Sequence, residues 1–267
     1  MGRVSGDGAE TFRRSTADAY DGHVGRYGSE LARGLIGLAG VGGGDRVLDV
    51  GCGTGLLTAE LAAVVGADRV AAVDPSEPFV EACRRRVPGA DVRLAAAEDL
   101  PFADATFDGA LSQLVVNFMG DAEAGVGQMG RVTRPGGTVA ACVWDYAEGM
   151  TLLRKFWDAA AALDPAAAPF DEGVSMRHCQ PDSLRALWES VGLHGVTSTE
   201  LNPSVRYASF EELWAPITTG VAPSGAYTVS LDDDGRRALR EEFHRRLGSP
   251  EGPFELTARA WAVVGRR

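Results

Sequence analysis

Short apolar runs alternate with amphipathic stretches over about residues 45–145. Each run is at most eight residues long and consists mostly of Val, Ala and Leu, as in parallel strands that are covered on both faces. The runs lie at residues 46–50, 69–74, 92–97, 109–115 and 137–144. The clearest helical segments between them are residues 55–65 and 76–87. This alternation predicts βαβ units and a doubly wound α/β sheet.

The flanking segments are predicted to be mostly helical. Residues 17–38 favour one or two amphipathic helices, which end in a glycine-rich break at residues 40–44. After the sheet, helices are predicted at residues 152–163, 181–192, 210–219 and 234–247. Residues 164–180 favour a loop or lid and residues 220–225 a turn, whereas the β-prone run at residues 254–264 is expected to close the sheet. Neither an internal repeat nor a linker is visible, so we expect one domain over residues 1–267.

The composition excludes several classes of protein. With 267 residues, of which 45% are hydrophobic and 24% charged, the chain is expected to be globular with a sizeable core. Its net charge of −11 and pI of about 4.9 oppose phosphate backbones and anionic lipid surfaces, so no nucleic-acid partner is expected. The three arginines at residues 84–86 are interpreted as a solvated helix face.

Neither export nor a membrane span is predicted. Residues 1–10 hold no apolar stretch, and no run of about 18 apolar residues occurs in the chain. The four cysteines stand far apart, without a CxxC or Cys/His ligand spacing, so no metal centre is predicted. A reducing, cytoplasmic compartment fits this cysteine usage best.

Three glycines stand where the first predicted strand meets the first helix, at Gly51, Gly53 and Gly55. Glycine tolerates positive φ and lets a ligand approach the backbone closely, because it has no Cβ. The pattern departs from a dinucleotide-binding fingerprint, since Leu56 takes the place of the final Gly or Ala. Asp49, just upstream, suits a ligand with an ammonium group better than a diphosphate.

A second acidic residue, Asp74, ends the next predicted strand 19 residues after Gly55. A carboxylate at this place is expected to bind the two hydroxyls of a ribose. The alternative is a helix N-cap, because Pro75 and Ser76 follow and helix N-termini favour such residues.

These features resemble class I S-adenosylmethionine-dependent methyltransferases, and most of all bacterial small-molecule enzymes similar to the ubiquinone and menaquinone C-methylating enzymes. The motifs that carry the resemblance are residues 47–55, Asp74 and residues 97–102, 106–108 and 134–137. The resemblance implies a Rossmann-like, doubly wound, seven-stranded sheet, mostly parallel with an antiparallel last strand. It also implies a helical N-terminal cap at residues 1–43, a cofactor-binding core at residues 44–145, and acceptor-pocket elements and closing strands at residues 146–267.

The same resemblance implies S-adenosyl-L-methionine as the cofactor and assigns residues to it. Asp49, Gly51 and Gly53 are expected to hold its amino-acid part, Ala97 and Glu98 to lie along the adenine, and the backbone around Ser112 and Gln113 to lie near the methionine moiety. The remaining residues expected at the cofactor are Tyr20, Cys52, Gly55 and Pro75, with Asp74 on the ribose. One departure is Ala96, which stands where this family often has an Asp that binds the adenine amino group.

Methyl transfer from a sulfonium is an in-line displacement, so positioning of the acceptor supplies much of the catalysis and a base is optional. His23 and His178 are the candidate bases, and the alternative for each is an ordinary surface or capping side chain. Asn117, Trp144 and Tyr146 are candidates for contact with the acceptor, because ligands bind beyond the carboxyl ends of the strands in open α/β sheets. The alternative for Trp144 is packing.

The expected activity is methylation of a small-molecule metabolite, with carbon, oxygen and nitrogen acceptors all open. A noncatalytic protein that senses S-adenosylmethionine or S-adenosylhomocysteine, or a partner subunit that binds them, is the alternative. A nicotinamide-dependent oxidoreductase is disfavoured by Asp49 and by the missing last glycine. A homodimer is compatible with the glycine-bearing helices and the terminal strand.

Overall fold

The computed structural model describes residues 24–220 and 222–267, and the contacts group the chain into two units. The sheet unit comprises Gly28–Trp144, Arg177–Asn202 and Ala260–Arg267. The helical unit comprises Asp145–Met176, Pro203–Arg259 and the described residues up to Tyr27. The predicted residues Tyr20 and His23 lie outside the described part of the chain.

Nine strands occur in the described residues. They are β1 (Val47–Val50), β2 (Val70–Asp74), β3 (Asp91–Leu94), β4 (Phe107–Gln113), β5 (Thr133–Trp144), β6 (His194–Leu201), β7 (Ser204–Tyr207), β8 (Phe254–Thr257) and β9 (Ala260–Arg266). Seven of them form one sheet in the order β3-β2-β1-β4-β5-β9-β6, and β7 pairs with β8 separately.

The large sheet confirms the expected fold class. β1 to β5 run parallel to one another, and β9, the last strand, pairs antiparallel with both β5 and β6. Every residue of β1 and β2 is buried, because helices cover both faces of a doubly wound sheet. The five predicted core strands are all present, although the one predicted at residues 92–97 ends at Leu94.

The α-helices within residues 24–220 and 222–267 are α1 (Gly28–Ala39), α2 (Leu56–Val65), α3 (Glu77–Arg86), α4 (Ala122–Val132), α5 (Thr151–Leu163), α6 (Glu172–Ser175), α7 (Pro181–Ser190), α8 (Phe210–Ile217), α9 (Ala222–Ser230) and α10 (Asp233–Arg246). Among these described helices, none combines the length and apolarity needed to cross a membrane. The sheet unit holds α1 to α4 and α7, and the helical unit holds the others.

Three predictions about local structure were wrong. Residues 222–225 are helical rather than a turn, because they form the start of α9, although Gly220 does lie in a turn. Residues 164–180 are not one loop, since a 3₁₀ helix at Pro165–Phe170 and α6 lie within them. The run at residues 254–264 is two strands, because the Arg259 carbonyl accepts from Asp145 N–H and its N–H donates to the Gly149 carbonyl, which interrupts the ladder.

Aromatic side chains form much of the core of the helical unit. Phe156, fully buried on α5, makes edge contacts with Trp157 and with Phe243 of α10, at ring-centroid distances of 5.0 and 5.7 Å. Phe243 in turn contacts Phe210 and Trp214 of α8. Such pairs add roughly 0.5–1.5 kcal/mol each beyond the burial of their surface, so these rings hold three helices together.

Candidate functional site

The glycine loop lies between β1 and α2, and each of its glycines has a positive φ: 77° at Gly51, 51° at Gly53 and 88° at Gly55. A Cβ on Gly51 would lie 2.5 Å from Val115 Cγ2, and one on Gly55 would lie 2.9 Å from Cys83 Sγ. By contrast, a Cβ on Gly53 would meet no heavy atom within 4 Å. Packing therefore requires glycine at the two ends of the loop, while the middle of the loop borders open space.

Backbone amides of the loop bind the carboxyl end of β2. Gly51 N and Cys52 N both donate to the Val73 carbonyl, at 2.8 and 2.9 Å. Gly53 N donates to Asp74 Oδ2 at 3.0 Å. The sequence prediction that this loop and Asp74 lie together is confirmed by these contacts.

Asp74 is 7% exposed and is also bonded to the start of the following helix, because its Oδ1 accepts from Ser76 N at 2.9 Å. The N-cap of α3 is Ser76 itself, so the alternative of Asp74 as the cap residue was wrong. Pro75, between them, is exposed. Burial raises the pKa of Asp74, whereas the N–H groups of Ser76 and Gly53 oppose that rise.

Asp49 is fully buried in β1 and is bonded to α2. Its Oδ2 accepts from Thr58 Oγ1 at 2.6 Å, and its Oδ1 has no hydrogen-bond partner among the described residues. Burial raises the pKa of Asp49 to about 7, in spite of the lowering effect of the Thr58 hydroxyl. A buried carboxylate oxygen without a donor is costly, and it marks a place where a cationic ligand group is favoured.

The segment after β3 lies beside Asp74, because Ala95 N donates to the Asp74 carbonyl at 3.1 Å. Ala97 is buried, and Glu98 is half-buried. Glu98 Oε1 accepts from Asp121 N at 3.2 Å, one residue before α4 begins. The Glu98 carboxylate thus already has a partner at a helix N-terminus, where a negative charge is favourable.

The side chains of Ser112 and Gln113 bind the protein framework. Ser112 Oγ donates to the Val50 carbonyl at 2.9 Å, which fastens β4 to β1 just before the glycine loop. Gln113 Nε2 donates to the Gly28 carbonyl at the start of α1 at 3.1 Å, and its Oε1 is buried without a hydrogen-bond partner among residues 24–220 and 222–267. Any contact of this strand end with a ligand therefore falls to its backbone or to Gln113 Oε1.

The candidate acceptor residues are distributed over both units. Asn117 lies in a 3₁₀ helix, Val116–Phe118, and Trp144 is buried at the end of β5, both in the sheet unit. Tyr146, also buried, belongs to the helical unit. His178 has a φ of 56° and an Nδ1 with no hydrogen-bond partner in the described chain, and burial lowers its pKa.

Sequence reasoning missed several residues that shape the loop. Arg86 was interpreted as part of a solvated face, but its Nη1 donates to Thr54 Oγ1 at 2.7 Å and to the Thr54 carbonyl at 2.9 Å. Thr58 and Cys83 were not identified at all. Thr58 follows Asp49 by nine residues. The predicted order of strand, loop and helix could have identified it, because the first turn of a helix after a short loop lies close to the end of the preceding strand.

Comparisons with known proteins agree with this geometry. Residues 48–141 match the family described as Methyltransferase domain. The chain is 46% identical over 103 residues to demethylmenaquinone methyltransferase of Mycobacterium sp. (strain KMS), covering 39% of this chain and 43% of that protein. It is 41% identical over 168 residues to O-methyltransferase cnsE of Penicillium expansum, covering 61% of this chain and 57% of that protein. The chain thus spans only about two fifths of the length of the mycobacterial relatives that it matches.

A solved structure supports the fold over nearly the whole chain. The SAM-dependent methyltransferase from Thermotoga maritima has a TM-score of 0.55 and 18% identity, with 97% of this chain and 99% of that chain covered. At this identity the likeness shows the fold alone. The chain is thus similar to the methyltransferase domain family over residues 48–141 and to demethylmenaquinone methyltransferases, and its sheet order and glycine loop agree with the class I S-adenosylmethionine-dependent methyltransferase fold.

Proposed function

We propose that the protein transfers the methyl group of S-adenosylmethionine to a small-molecule metabolite. The observation that carries the proposal is the pairing of Asp74 with Gly53 beside open space, at the carboxyl ends of two adjacent parallel strands. Ligands of open α/β sheets bind at this edge. The acidic net charge of −11 favours a metabolite over nucleic acid as the acceptor.

The residues present fit the cofactor. The unpartnered Oδ1 of Asp49 offers an acceptor for an ammonium group, and the open side of Gly53 lets a ligand approach the backbone. Each Asp74 oxygen accepts one N–H bond and retains a second lone pair, so it can also accept from a ribose hydroxyl. When bound, S-adenosylmethionine supplies an electrophilic methyl group on a sulfonium, which is open to in-line displacement.

The protein's own contribution to such a reaction is chiefly to hold the acceptor in line with the methyl group and to exclude water. Asn117, Trp144 and Tyr146 are our candidates for acceptor contacts. His178 is the candidate proton acceptor among the described histidines, because burial lowers its pKa and keeps the ring neutral near pH 7. An acceptor that loses a proton on methylation would pass it to that ring.

We favour a carbon or an oxygen atom as the methyl acceptor. Support comes from the relatives, of which one is named for demethylmenaquinone and another for O-methylation. Quinols and phenols share an aromatic hydroxyl, whose deprotonation activates both the oxygen and the adjacent ring carbon. We therefore place aromatic hydroxyl compounds first in an acceptor search.

The second candidate function is a noncatalytic sensor of the cofactor. The residues at positions 96 and 98 are the observation that favours it. Ala96 lacks the carboxylate that the family often supplies for adenine, and Glu98 is bonded to Asp121 N instead. A sensor needs only to bind the cofactor or its demethylated product. It would show no turnover with any acceptor.

Calorimetric titration followed by an acceptor screen tests the proposal. S-adenosylmethionine and S-adenosylhomocysteine are titrated into the wild type and Asp74→Ala, with NADH as the control ligand. We expect both sulfur ligands to bind the wild type and to bind Asp74→Ala much more weakly, and labelled methyl groups to reach a quinol or phenol. Binding of NADH alone contradicts the methyltransferase assignment, and binding without any methylation supports the sensor.

A further inference from the structure

Thr58 joins the helix after the glycine loop to the strand before it. It is fully buried in the first turn of α2, and its hydroxyl donates to Asp49 Oδ2 at 2.6 Å. Its backbone N–H also lowers the pKa of Asp49 by hydrogen bonding. The Asp49 carboxylate thus lies against the first turn of α2, where a negative charge is favourable.

The Thr58 hydroxyl is itself held in place. Cys83 Sγ on α3 donates to Thr58 Oγ1 at 3.4 Å, so the hydroxyl proton is directed to Asp49. The same sulfur lies 2.9 Å from where a Cβ on Gly55 would be, which ties the position of Cys83 to the third glycine of the loop. A chain of hydrogen bonds therefore runs from α3 through α2 to β1.

This arrangement treats the two oxygens of Asp49 differently. Oδ2 is committed to Thr58, whereas Oδ1 is buried without a donor among the residues that the structure describes. A carboxylate in this state either keeps a proton or acquires a cationic partner, because an isolated buried negative charge is unstable. The cofactor's ammonium group is a partner of the required charge.

We propose that Thr58 is a positioning residue that reserves Asp49 Oδ1 for the ammonium group of the cofactor, so that Asp49 loses a proton as the cofactor binds. This inference rests on the proposed function, since it assumes that a ligand of the S-adenosyl type occupies the loop. No bond to carbon is made or broken in this step. The proton leaves the carboxyl group for the solvent, and the ammonium group donates a new hydrogen bond to Oδ1.

Burial and the charge of Asp74 set the sign of this linkage, against the opposite effect of Thr58. Burial is the main cause that raises the pKa of Asp49, and charge repulsion from Asp74 on β2 raises it further. The other titratable neighbours are the thiols of Cys52 in the loop and Cys83 on α3, and their mutual hydrogen bond raises the pKa of Cys52 and lowers that of Cys83. Since the pKa of Asp49 is about 7, the free protein holds this proton below that pH, and the bound protein does not.

Titration of S-adenosylhomocysteine into the wild type between pH 5.5 and 7.5, in pairs of buffers with different ionisation enthalpies, measures the protons released. We expect nearly one proton per site at pH 5.5 and less than half at pH 7.5. The dissociation constant should rise by about tenfold per pH unit well below pH 7. Asp74→Asn is expected to bind more weakly and still release the proton, which separates Asp49 from the other carboxyl group.

Thr58→Val and Thr58→Ser complete the test. Valine has the shape of threonine without the hydroxyl, so the pKa of Asp49 should rise and the midpoint of proton release should move to higher pH, with weaker binding at pH 7. Serine retains the hydroxyl and should restore both values. If Thr58 were merely structural, Thr58→Val would weaken binding equally at every pH and leave the midpoint unchanged.

The outcomes separate the inference from the proposed function. Binding of S-adenosylhomocysteine to the wild type without proton release overturns the inference and leaves the proposed function intact. Absence of binding to the wild type at every pH overturns both. The wild-type measurement is sufficient for this distinction even if Thr58→Val fails to fold.

Discussion

The carboxylate of Asp74 accepts a 3.0 Å hydrogen bond from the backbone N–H of Gly53, 21 residues earlier in the chain. One side chain at the end of β2 thus determines the position of the middle of a loop that belongs to β1. Its second oxygen accepts from Ser76 N, so the same carboxylate also supports the start of α3. The stability of the loop and its capacity to bind a ligand therefore depend on the same group.

Asp74→Ala is expected to weaken binding of S-adenosylhomocysteine by roughly 10- to 100-fold, because hydrogen bonds to a charged group contribute about 1.5–3 kcal/mol. It should also lower the unfolding temperature, since two backbone N–H groups lose their acceptor. Titration calorimetry and thermal unfolding measure the two effects. Asp234→Ala is the control, because Asp234 makes an exposed ion pair within α10 and should change neither value appreciably. Unchanged affinity in Asp74→Ala would remove Asp74 from the site.

Alanine at Gly51 and at Gly53 should act differently. Gly51→Ala combines a positive φ with a contact of 2.5 Å to Val115, so it is expected to destabilise the fold by several kcal/mol. Gly53→Ala bears the φ strain alone, roughly 1–2 kcal/mol, but its methyl group enters the space that borders the loop. We expect Gly53→Ala to fold and to bind S-adenosylhomocysteine poorly. Unfolding curves and titrations of both variants check this, and normal affinity in Gly53→Ala contradicts it.

Glu172 gives the helical unit a pH-dependent stability. It is buried in α6, its Oε2 accepts from Trp157 Nε1, and burial raises its pKa to about 7. Because the folded pKa lies above the unfolded one, the unfolded chain loses this proton first as pH rises, and stability falls between about pH 5 and pH 8. The loss from this one group is about 3 kcal/mol.

Glu172→Gln removes that titration and keeps an oxygen that can accept from Trp157. Its free energy of unfolding should therefore vary less between pH 5 and pH 8 than that of the wild type, and exceed it at pH 8. Denaturant unfolding at the two pH values measures this difference. Glu241→Gln, at an exposed position of α10, is the matched control. If the free energy of unfolding changed equally with pH in the wild type and in Glu172→Gln, ionisation of Glu172 would not affect the stability of the folded protein.

Asp145 and Arg259 form the ion pair on which the turn after β5 depends. Asp145 is 2% exposed, and Arg259 donates to its Oδ2 from Nε at 2.8 Å and from Nη2 at 2.6 Å. Arg259→Met leaves a buried carboxylate without its cation and is expected to destabilise the protein by about 2–4 kcal/mol. Adding Asp145→Asn should recover part of that loss. Denaturant unfolding of the single and double variants measures the recovery.

Arg237→Met is the control for that prediction. Its partner Asp234 is exposed on α10, and an exposed ion pair contributes about 0–1 kcal/mol. An equal loss of stability in Arg237→Met and Arg259→Met would contradict the assigned importance of burial at Asp145.

Some features of the site were predictable because they are local. A short apolar run, a turn of glycines and an amphipathic segment each depend on neighbouring residues, so β1, the loop and α2 could be predicted together. The parallel arrangement then brings the ends of β1 and β2 to one edge of the sheet, which placed Asp74 beside the loop. The antiparallel last strand came from the resemblance to the methyltransferases, and the structure confirmed it.

The sequence by itself determined the five core strands, the glycine loop and the acidic residues beside it, because periodicity and backbone freedom are properties of short segments. Only the tertiary structure decided which polar atoms are paired. Arg86 binds Thr54 across 32 residues and Arg259 binds Asp145 across 114, and no local pattern encodes such a distance. Burial likewise depends on what packs on top of a residue. The hydroxyl of Thr58 distinguishes the two oxygens of the buried Asp49, and burial gives Glu172 its raised pKa.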